Sequence, residues 1–179
     1  MSMSEMRRRR IEASFVLIAL CLLISGILIR RPGASLEPNW VPMVYATSLK
    51  MGTIRTPEFT TNRSGVYEIE INVENKYGIQ KMQCLLGATD NYPAQCDGIP
   101  SLIDISWTLL DTDRVVATGN SHDFSGLAQS DSLKRFLGTV NCQAGHHYSL
   151  VLDIRRDASA LDVANPRIVV QTPYGYFED

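Results

Sequence analysis

The sequence predicts an all-β chain: an antiparallel β-sandwich, jelly-roll or immunoglobulin-like, preceded by one N-terminal transmembrane helix. Residues 66–74 alternate apolar and polar side chains with a period of two, which is typical of a strand with one buried and one solvated face. Gly, Pro, Asn and Asp turns separate several such segments, and no long segment after residue 31 keeps helical spacing. Residues 13–29 form an unbroken apolar run, which predicts the membrane helix.

Seven or eight short strands are expected after residue 42. The clearest is 66–74, in which the polar residues Glu68, Glu70, Asn72 and Glu74 are expected to share a wet outer face. The other predicted strands are 43–46, 53–59, 103–109 in a hairpin with 115–118, 135–142, 148–154 and 168–170, with short helical segments at 78–86 and 158–163.

Trp107 between cysteines is an immunoglobulin feature, but its strand follows Cys96 and the spacing of Cys84 and Cys96 is too short for a bond between sheets. These two facts favour the jelly roll.

The membrane anchor is assigned to residues 11–31. A helix of about 20 residues spans a bilayer core, and about 17 is the lower limit. The arginines at 7–10 outnumber the pair at 30–31, so the N-terminus is expected to stay in the cytoplasm. A signal peptide cleaved near 33–35 and a lipoprotein modified at Cys21 are the alternatives. The apolar run continues past Cys21, so an uncleaved anchor is favoured.

The predicted organisation has four parts: a basic cytoplasmic tail at 1–10, the anchor at 11–31, a stalk at 32–41 and an exported β-sandwich at 42–179. From Ser35 onward the chain has 11 Lys and Arg against 17 Asp and Glu, a net charge of −6. Nucleic-acid binding needs a basic surface that neutralises phosphates, so no nucleic-acid partner is expected.

Three cysteines lie beyond the anchor. An oxidising compartment permits one internal disulfide, and the pair Cys84–Cys96, which flanks a loop rich in turn residues, is favoured over any pairing with Cys142. Cys142 continues a period-two pattern through Phe136, Gly138 and Val140, so this whole face is expected to point into the core.

No catalytic residue, metal site or cofactor is predicted. His146 and His147 are neighbours on a strand and point to opposite faces, so they do not easily share an ion. His122-Asp123 offers half of an acid–base pair, but no nucleophile motif accompanies it. The candidate binding residues are instead loop and tail aromatics, because such side chains anchor many binding surfaces: Tyr77, Tyr92, Phe124, Tyr174 and Tyr176.

The last third of the chain carries a resemblance. The segments 145–154, with Tyr148, Leu150 and Leu152 in alternation, and 161–168, with Ala164-Asn165-Pro166, resemble a closing hairpin of uncharacterised small bacterial membrane-anchored proteins with a periplasmic β-sandwich domain. This resemblance implies a single-pass protein of the bacterial inner membrane with its C-terminal domain in the periplasm. It implies no activity.

These features favour a non-enzymatic binding protein that contacts lipid through its anchor and recognises another envelope protein. One version is an immunity protein against a toxin that acts in the periplasm. The alternatives are a carbohydrate- or peptidoglycan-binding module, and an accessory subunit of a secretion or pilus assembly. An enzyme would need His122 and Asp123 in a cleft with a nucleophile.

Overall fold

The computed structural model describes residues 41–87, 96–122, 127–129 (backbone only) and 132–173. These ranges contain ten strands: β1 Met43–Ala46, β2 Gly52–Arg55, β3 Phe59–Thr60, β4 Gly65–Val73, β5 Ile105–Asp111, β6 Arg114–Asn120, β7 Leu127–Gln129, β8 Leu133–Cys142, β9 His147–Ile154 and β10 Arg167–Gln171. They also contain two short helices: α1 Ile79–Leu85 and the 3-10 helix η1 Ser159–Ala164.

The predicted all-β class is confirmed, and every pairing between the described strands is antiparallel. The segment predicted at 53–59 is divided into β2 and β3, with Pro57 in the break, because proline donates no hydrogen bond to a ladder. Strand β7 was not predicted. Among the described residues, no helix is long and apolar enough to cross a bilayer, and the anchor predicted at 11–31 lies outside them.

The strands form two sheets. Sheet A has the order β1-β10-β4-β8-β7, and sheet B has the order β2-β9-β5-β6, with β3 also paired to β9. The first and last strands of the described chain are therefore neighbours in sheet A. Because consecutive strands often belong to different sheets, the chain crosses between the sheets repeatedly.

The buried faces of the two sheets pack against each other around Trp107 of β5. Its indole Nε1 donates a 2.9 Å hydrogen bond to the carbonyl oxygen of Leu137 in β8, which links sheet B to sheet A. Ile69, Ile71, Leu109, Leu150, Leu152 and Val170 are among the fully buried side chains of this single core. Complete burial of such a side chain contributes about 1.5–3 kcal/mol, so this core is the main source of stability.

A β-bulge corrects the sequence-based account of β8. Ile69 of β4 pairs with Gly138, but the next residue, Glu70, pairs with Phe136, so Leu137 is the extra residue. Val140 and Cys142 point into the core as predicted, whereas Phe136 does not share their face. The prediction of one continuous face was wrong because a bulge exchanges the faces of all the residues before it.

The outer face of β4 also departs from prediction. Glu70 was expected to be solvated, yet its exposure is 0%, and Glu68 and Asn72 are only partly exposed. Alternation indicates which residues share a face, but it does not indicate whether that face meets water. The outer face of sheet A is thus partly buried.

The longer connections meet at one end of the two sheets. The backbone N–H of Ala158 in the β9–β10 connection donates to the Leu49 carbonyl in the β1–β2 connection (3.0 Å). The N–H of Glu74, at the start of the β4–β5 connection, donates to the Ala164 carbonyl (2.8 Å). We call this the loop-rich end; the opposite end has shorter turns, such as that between β5 and β6.

Candidate functional site

Tyr77 lies at the loop-rich end, between β4 and α1, and its ring is available to a partner. The residue is 42% exposed. Its hydroxyl donates a 3.3 Å hydrogen bond to the Ala160 carbonyl oxygen of η1. The Lys81 ammonium lies 5.0 Å from the centre of the ring, within the range of a cation–π contact. Two contacts therefore restrict the orientation of this exposed aromatic side chain.

The apolar surface extends from Tyr77 onto α1. Ile79 is 41% exposed at the first position of the helix, while Met82 and Cys84 are buried. An open depression of about 490 Å³ is lined by six residues, Tyr77, Gly78, Ile79, Gln80, Lys81 and Ile99. We call these six residues the Tyr77 surface.

The predicted disulfide between Cys84 and Cys96 is present, with Cα atoms 5.3 Å apart. It links α1 to the segment that carries Ile99. Farther along, the N–H of Leu102 donates to the Leu85 carbonyl oxygen (2.8 Å), a second connection between the two segments. Both sides of the Tyr77 surface are therefore held by covalent and backbone bonds.

Arg135 of β8 fixes the C-terminal end of α1 to the sheet. Its guanidinium is buried and donates to the carbonyl oxygens of Ser121 (2.9 Å) and Gly87 (3.4 Å). Gly87 ends the helix with φ +88°, and a Cβ there would lie 2.6 Å from Ser101 Oγ. Glycine fits this position because it adopts a left-handed conformation without strain and leaves room for the neighbour.

Of the five aromatic residues proposed from the sequence, the structure describes only Tyr77. Tyr92, Phe124, Tyr174 and Tyr176 lie outside the described residues. Sequence reasoning did not select Ile79, Lys81 or Ile99. The sequence placed Ile79 at the start of a short helical segment. Whether Ile79 is exposed depends on which side of that segment faces the sheet, and the sequence alone does not indicate this.

Each histidine contacts a separate carboxylate. His146 Nδ1 lies 2.7 Å from Asp111 Oδ2, and His147 Nδ1 lies 2.6 Å from Glu58 Oε1, so the two adjacent rings are engaged at different places. His122 Nε2 lies 3.3 Å from Asp104 Oδ1. Asp123, its predicted acid–base partner, is outside the described residues. Among the residues described, no three His, Cys, Asp or Glu side chains form a metal-binding group.

Cys142 is a buried free thiol near the short-turn end. Burial raises its pKa to about 12, and the negative charge of Asp111 acts in the same direction. The thiolate is the nucleophilic form of cysteine, so this side chain stays protonated and unreactive near neutral pH. Its contribution is to packing.

No protein-family model matches the chain, and no curated protein matches it. Among solved structures, the chain is similar to the crystal structure of a protein from Sulfurospirillum deleyianum, with a TM-score of 0.49 and 9% sequence identity. The match covers 73% of this chain and 95% of the other.

Proposed function

We propose that this chain is a non-enzymatic, membrane-anchored binding protein that recognises another envelope protein through its loop-rich end. The observation that carries the proposal is the Tyr77 surface, which exposes an oriented aromatic ring beside Ile79. Interfaces obtain most of their binding energy from a few such anchors, tyrosine among the most frequent. A surface already held in place by bonds also loses less entropy on binding.

The strand order supports the jelly-roll form of the sandwich. If β2 and β3 are counted as one interrupted strand and β7 as an added edge strand, eight strands remain, four in each sheet. The first of these pairs with the last in sheet A. The disulfide lies within one connection, whereas the immunoglobulin bond joins the two sheets.

An exported location follows from the anchor proposed at residues 11–31 and from the arginines that flank it. The Cys84–Cys96 disulfide supports it, since structural disulfides persist in oxidising compartments and are rare in the cytosol. A phosphatase reporter fused after Asp179 should be active outside the cytoplasm of a bacterial host. A cytosolic reporter fused at the same place should be inactive, and the reverse result would contradict this location.

Two versions of the protein partner are compatible with a display surface on an anchor. In the first, the partner is a toxin that acts in the periplasm and this chain is its immunity protein. In the second, the partner belongs to a secretion or pilus assembly. A neighbouring gene for a secreted effector favours the first version, and neighbouring genes for assembly components favour the second.

A carbohydrate-binding function is the alternative for the same surface. The exposed ring of Tyr77 favours it, because aromatic faces present apolar area beside polar groups. Under this alternative, the full-length chain would be retained on a peptidoglycan column and Tyr77→Ala would lose retention. A protein-binding surface predicts no retention that depends on Tyr77.

The test is a pull-down from detergent-solubilised membranes with the full-length chain as bait. We expect one envelope protein to be enriched, and Tyr77→Ala to weaken its recovery by an amount corresponding to about 2 kcal/mol, roughly 30-fold in affinity. Val115→Ala is the matched control, because Val115 is an exposed apolar residue on β6. Equal recovery with all three baits would contradict the proposal.

A further inference from the structure

A second concave surface lies on the outer face of sheet A, formed by different residues from the Tyr77 surface. It is a groove of about 220 Å³ whose lining includes Val44 of β1, Asn72 of β4, and Arg167, Val169 and Gln171 of β10. This volume lies below the range of about 300–1,000 Å³ that is common for drug-sized ligands. The groove therefore fits a single small ring.

The strand register divides the floor of this groove into two rows. Val44 is opposite Val169, and Val169 is opposite Glu70, so one row begins with two valines of the lining and continues to a carboxylate that is fully buried and does not line the groove. In the neighbouring row, Arg167 is opposite Asn72. Residues opposite each other on antiparallel strands share a face, so an apolar row lies beside a row of planar polar groups.

One polar atom beneath this face has unused hydrogen-bonding capacity. Asn72 Oδ1 is buried and receives no hydrogen bond from the described residues, whereas the buried Glu70 carboxylate interacts with the side chains of Gln171 and Lys134. The Lys134 ammonium lies 3.8 Å from Glu70 Oε2, which is an ion-pair distance. A buried polar atom without a partner destabilises the fold, and Asn72 Oδ1 is an acceptor. The face thus favours a ligand that brings donors.

The charges around the groove exclude a strong preference for an ion. Glu74 at its rim already accepts hydrogen bonds from Asn165 Nδ2 (2.9 Å) and lies 2.8 Å from the Lys76 ammonium. Arg167 supplies a positive charge opposite Asn72, and Lys134 lies beside Glu70. The two lysines thus each lie beside a glutamate, and the positive charge of Arg167 also acts on Glu74, whose pKa it helps to lower. A neutral ligand with several hydroxyl groups meets these conditions better than an anion or a cation.

We propose that the groove binds one ring of a neutral saccharide. The valine row contacts the C–H face of the ring. Asn72 and Gln171 offer both a donor and an acceptor through their amides, and Arg167 offers donors, so together they bind adjacent hydroxyls. Rotation of the Asn72 amide brings its unused oxygen to the ligand. Strands β10 and β4 use their backbone groups in pairing within the sheet, so this face offers an incoming peptide no backbone ladder.

The experiment is isothermal titration calorimetry of the full-length chain in detergent micelles. The probes are cellotetraose, maltotetraose and chitotetraose, with tetraglycine as the peptide probe. We expect saturable binding of at least one of the oligosaccharides and none of tetraglycine. Asn72→Ala and Arg167→Met should each weaken that binding about 10-fold, because each removes direct hydrogen bonds to the ring.

Two controls separate this groove from other effects. Arg155→Met removes an arginine that is more than half exposed and lies outside the groove, and it should leave binding unchanged. Tyr77→Ala should also leave it unchanged, which distinguishes this groove from the Tyr77 surface. Val44→Trp, at a position 57% exposed, fills the groove without disturbing the core and should abolish binding.

Absence of binding to all three oligosaccharides would overturn the proposal. Binding that survives Val44→Trp, or that Tyr77→Ala removes, would overturn it too, as would equal binding of tetraglycine. Circular dichroism of each variant confirms that the sheets are intact. Because the protein-binding proposal is tested by pull-down at other residues, the two proposals can fail separately.

Discussion

Trp107 fixes the distance between the two sheets through contacts that only glycine permits. A Cβ added at Gly119 would lie 2.4 Å from the indole ring, and one added at Gly138 would lie 2.5 Å from it. Neither glycine has the positive φ that would otherwise explain its presence. Both are therefore required by the volume of the ring, and one of them lies in each sheet.

Gly138→Ala should destabilise the fold by about 1–3 kcal/mol, because the methyl group overlaps a ring that its hydrogen bond to Leu137 holds in place. Urea denaturation followed by tryptophan fluorescence measures the loss. Thr139→Ala, at the exposed neighbouring position, is the control and should have little effect. An equal loss in both variants would show that strand propensity, and not the overlap, determines the result.

Sequence reasoning placed Trp107 on a strand and paired Cys84 with Cys96, and both predictions are confirmed. A local pattern sufficed for each. The partners of the ring, Gly119 and Gly138, could not be found in this way, since they contact it from separate strands and their role depends on three-dimensional overlap.

At the scale of elements, β4 shows the limit of the alternation rule. The strand was found correctly and its core face is confirmed, but Glu70 on the opposite face is buried. Burial raises the pKa of Glu70, and attraction to Lys134 only partly opposes this effect. The folded state consequently binds the proton of this carboxyl more tightly than the unfolded state does.

Glu70→Gln should therefore raise the free energy of unfolding at pH 7, by on the order of 1 kcal/mol, because a neutral amide replaces a poorly solvated charge. The stability that protonated Glu70 gives the wild type is complete below its unfolded pKa of 4.5 and is lost as pH rises through the raised folded pKa. The difference in the free energy of unfolding between Glu70→Gln and the wild type should therefore become smaller as the pH is lowered. Urea denaturation at a series of pH values measures it.

Glu74→Gln is the control for this measurement, because the pKa of Glu74 is shifted in the direction opposite to that of Glu70. Hydrogen bonds from Lys76 and Asn165 lower the pKa of Glu74, so its charged form is favoured in the folded state. Its replacement should bring no gain in stability at pH 7. A gain in both variants would indicate a general effect of net charge on this acidic chain and would refute the specific role of Glu70.

The disulfide connects α1 to the Ile99 segment across a sequence separation of 12 residues. Closing a loop of this length stabilises a fold by about 3 kcal/mol. The double substitution Cys84→Ser and Cys96→Ser should cost about that amount in thermal or urea denaturation, and reduction of the wild-type chain should give the same loss. A reducing agent should then have no effect on the double variant, and a further loss there would contradict this account.

At the scale of the whole molecule, sequence patterns predicted the all-β class, most strands, the α1 segment and the disulfide, since each depends on local spacing. They did not predict β7, the bulge at Leu137 or the groove on sheet A. These features arise where strands distant in the sequence meet, so no short window contains them. For the same reason, Tyr77 was selected as an aromatic residue, while Ile79 and Ile99 became candidates only through their positions in the fold.

From the anchor predicted at 11–31 and the Tyr77 surface we propose a module that stays in the membrane and binds a partner through its loop-rich end. Site-specific photo-crosslinking in intact cells tests this most directly, with a photoreactive residue in place of Ile79 in the full-length chain and, separately, in place of Val115. We expect a light-dependent adduct with one envelope protein from position 79, lost when Tyr77→Ala is added, and none from position 115. No adduct from position 79, or the same adduct from both positions, would contradict the account.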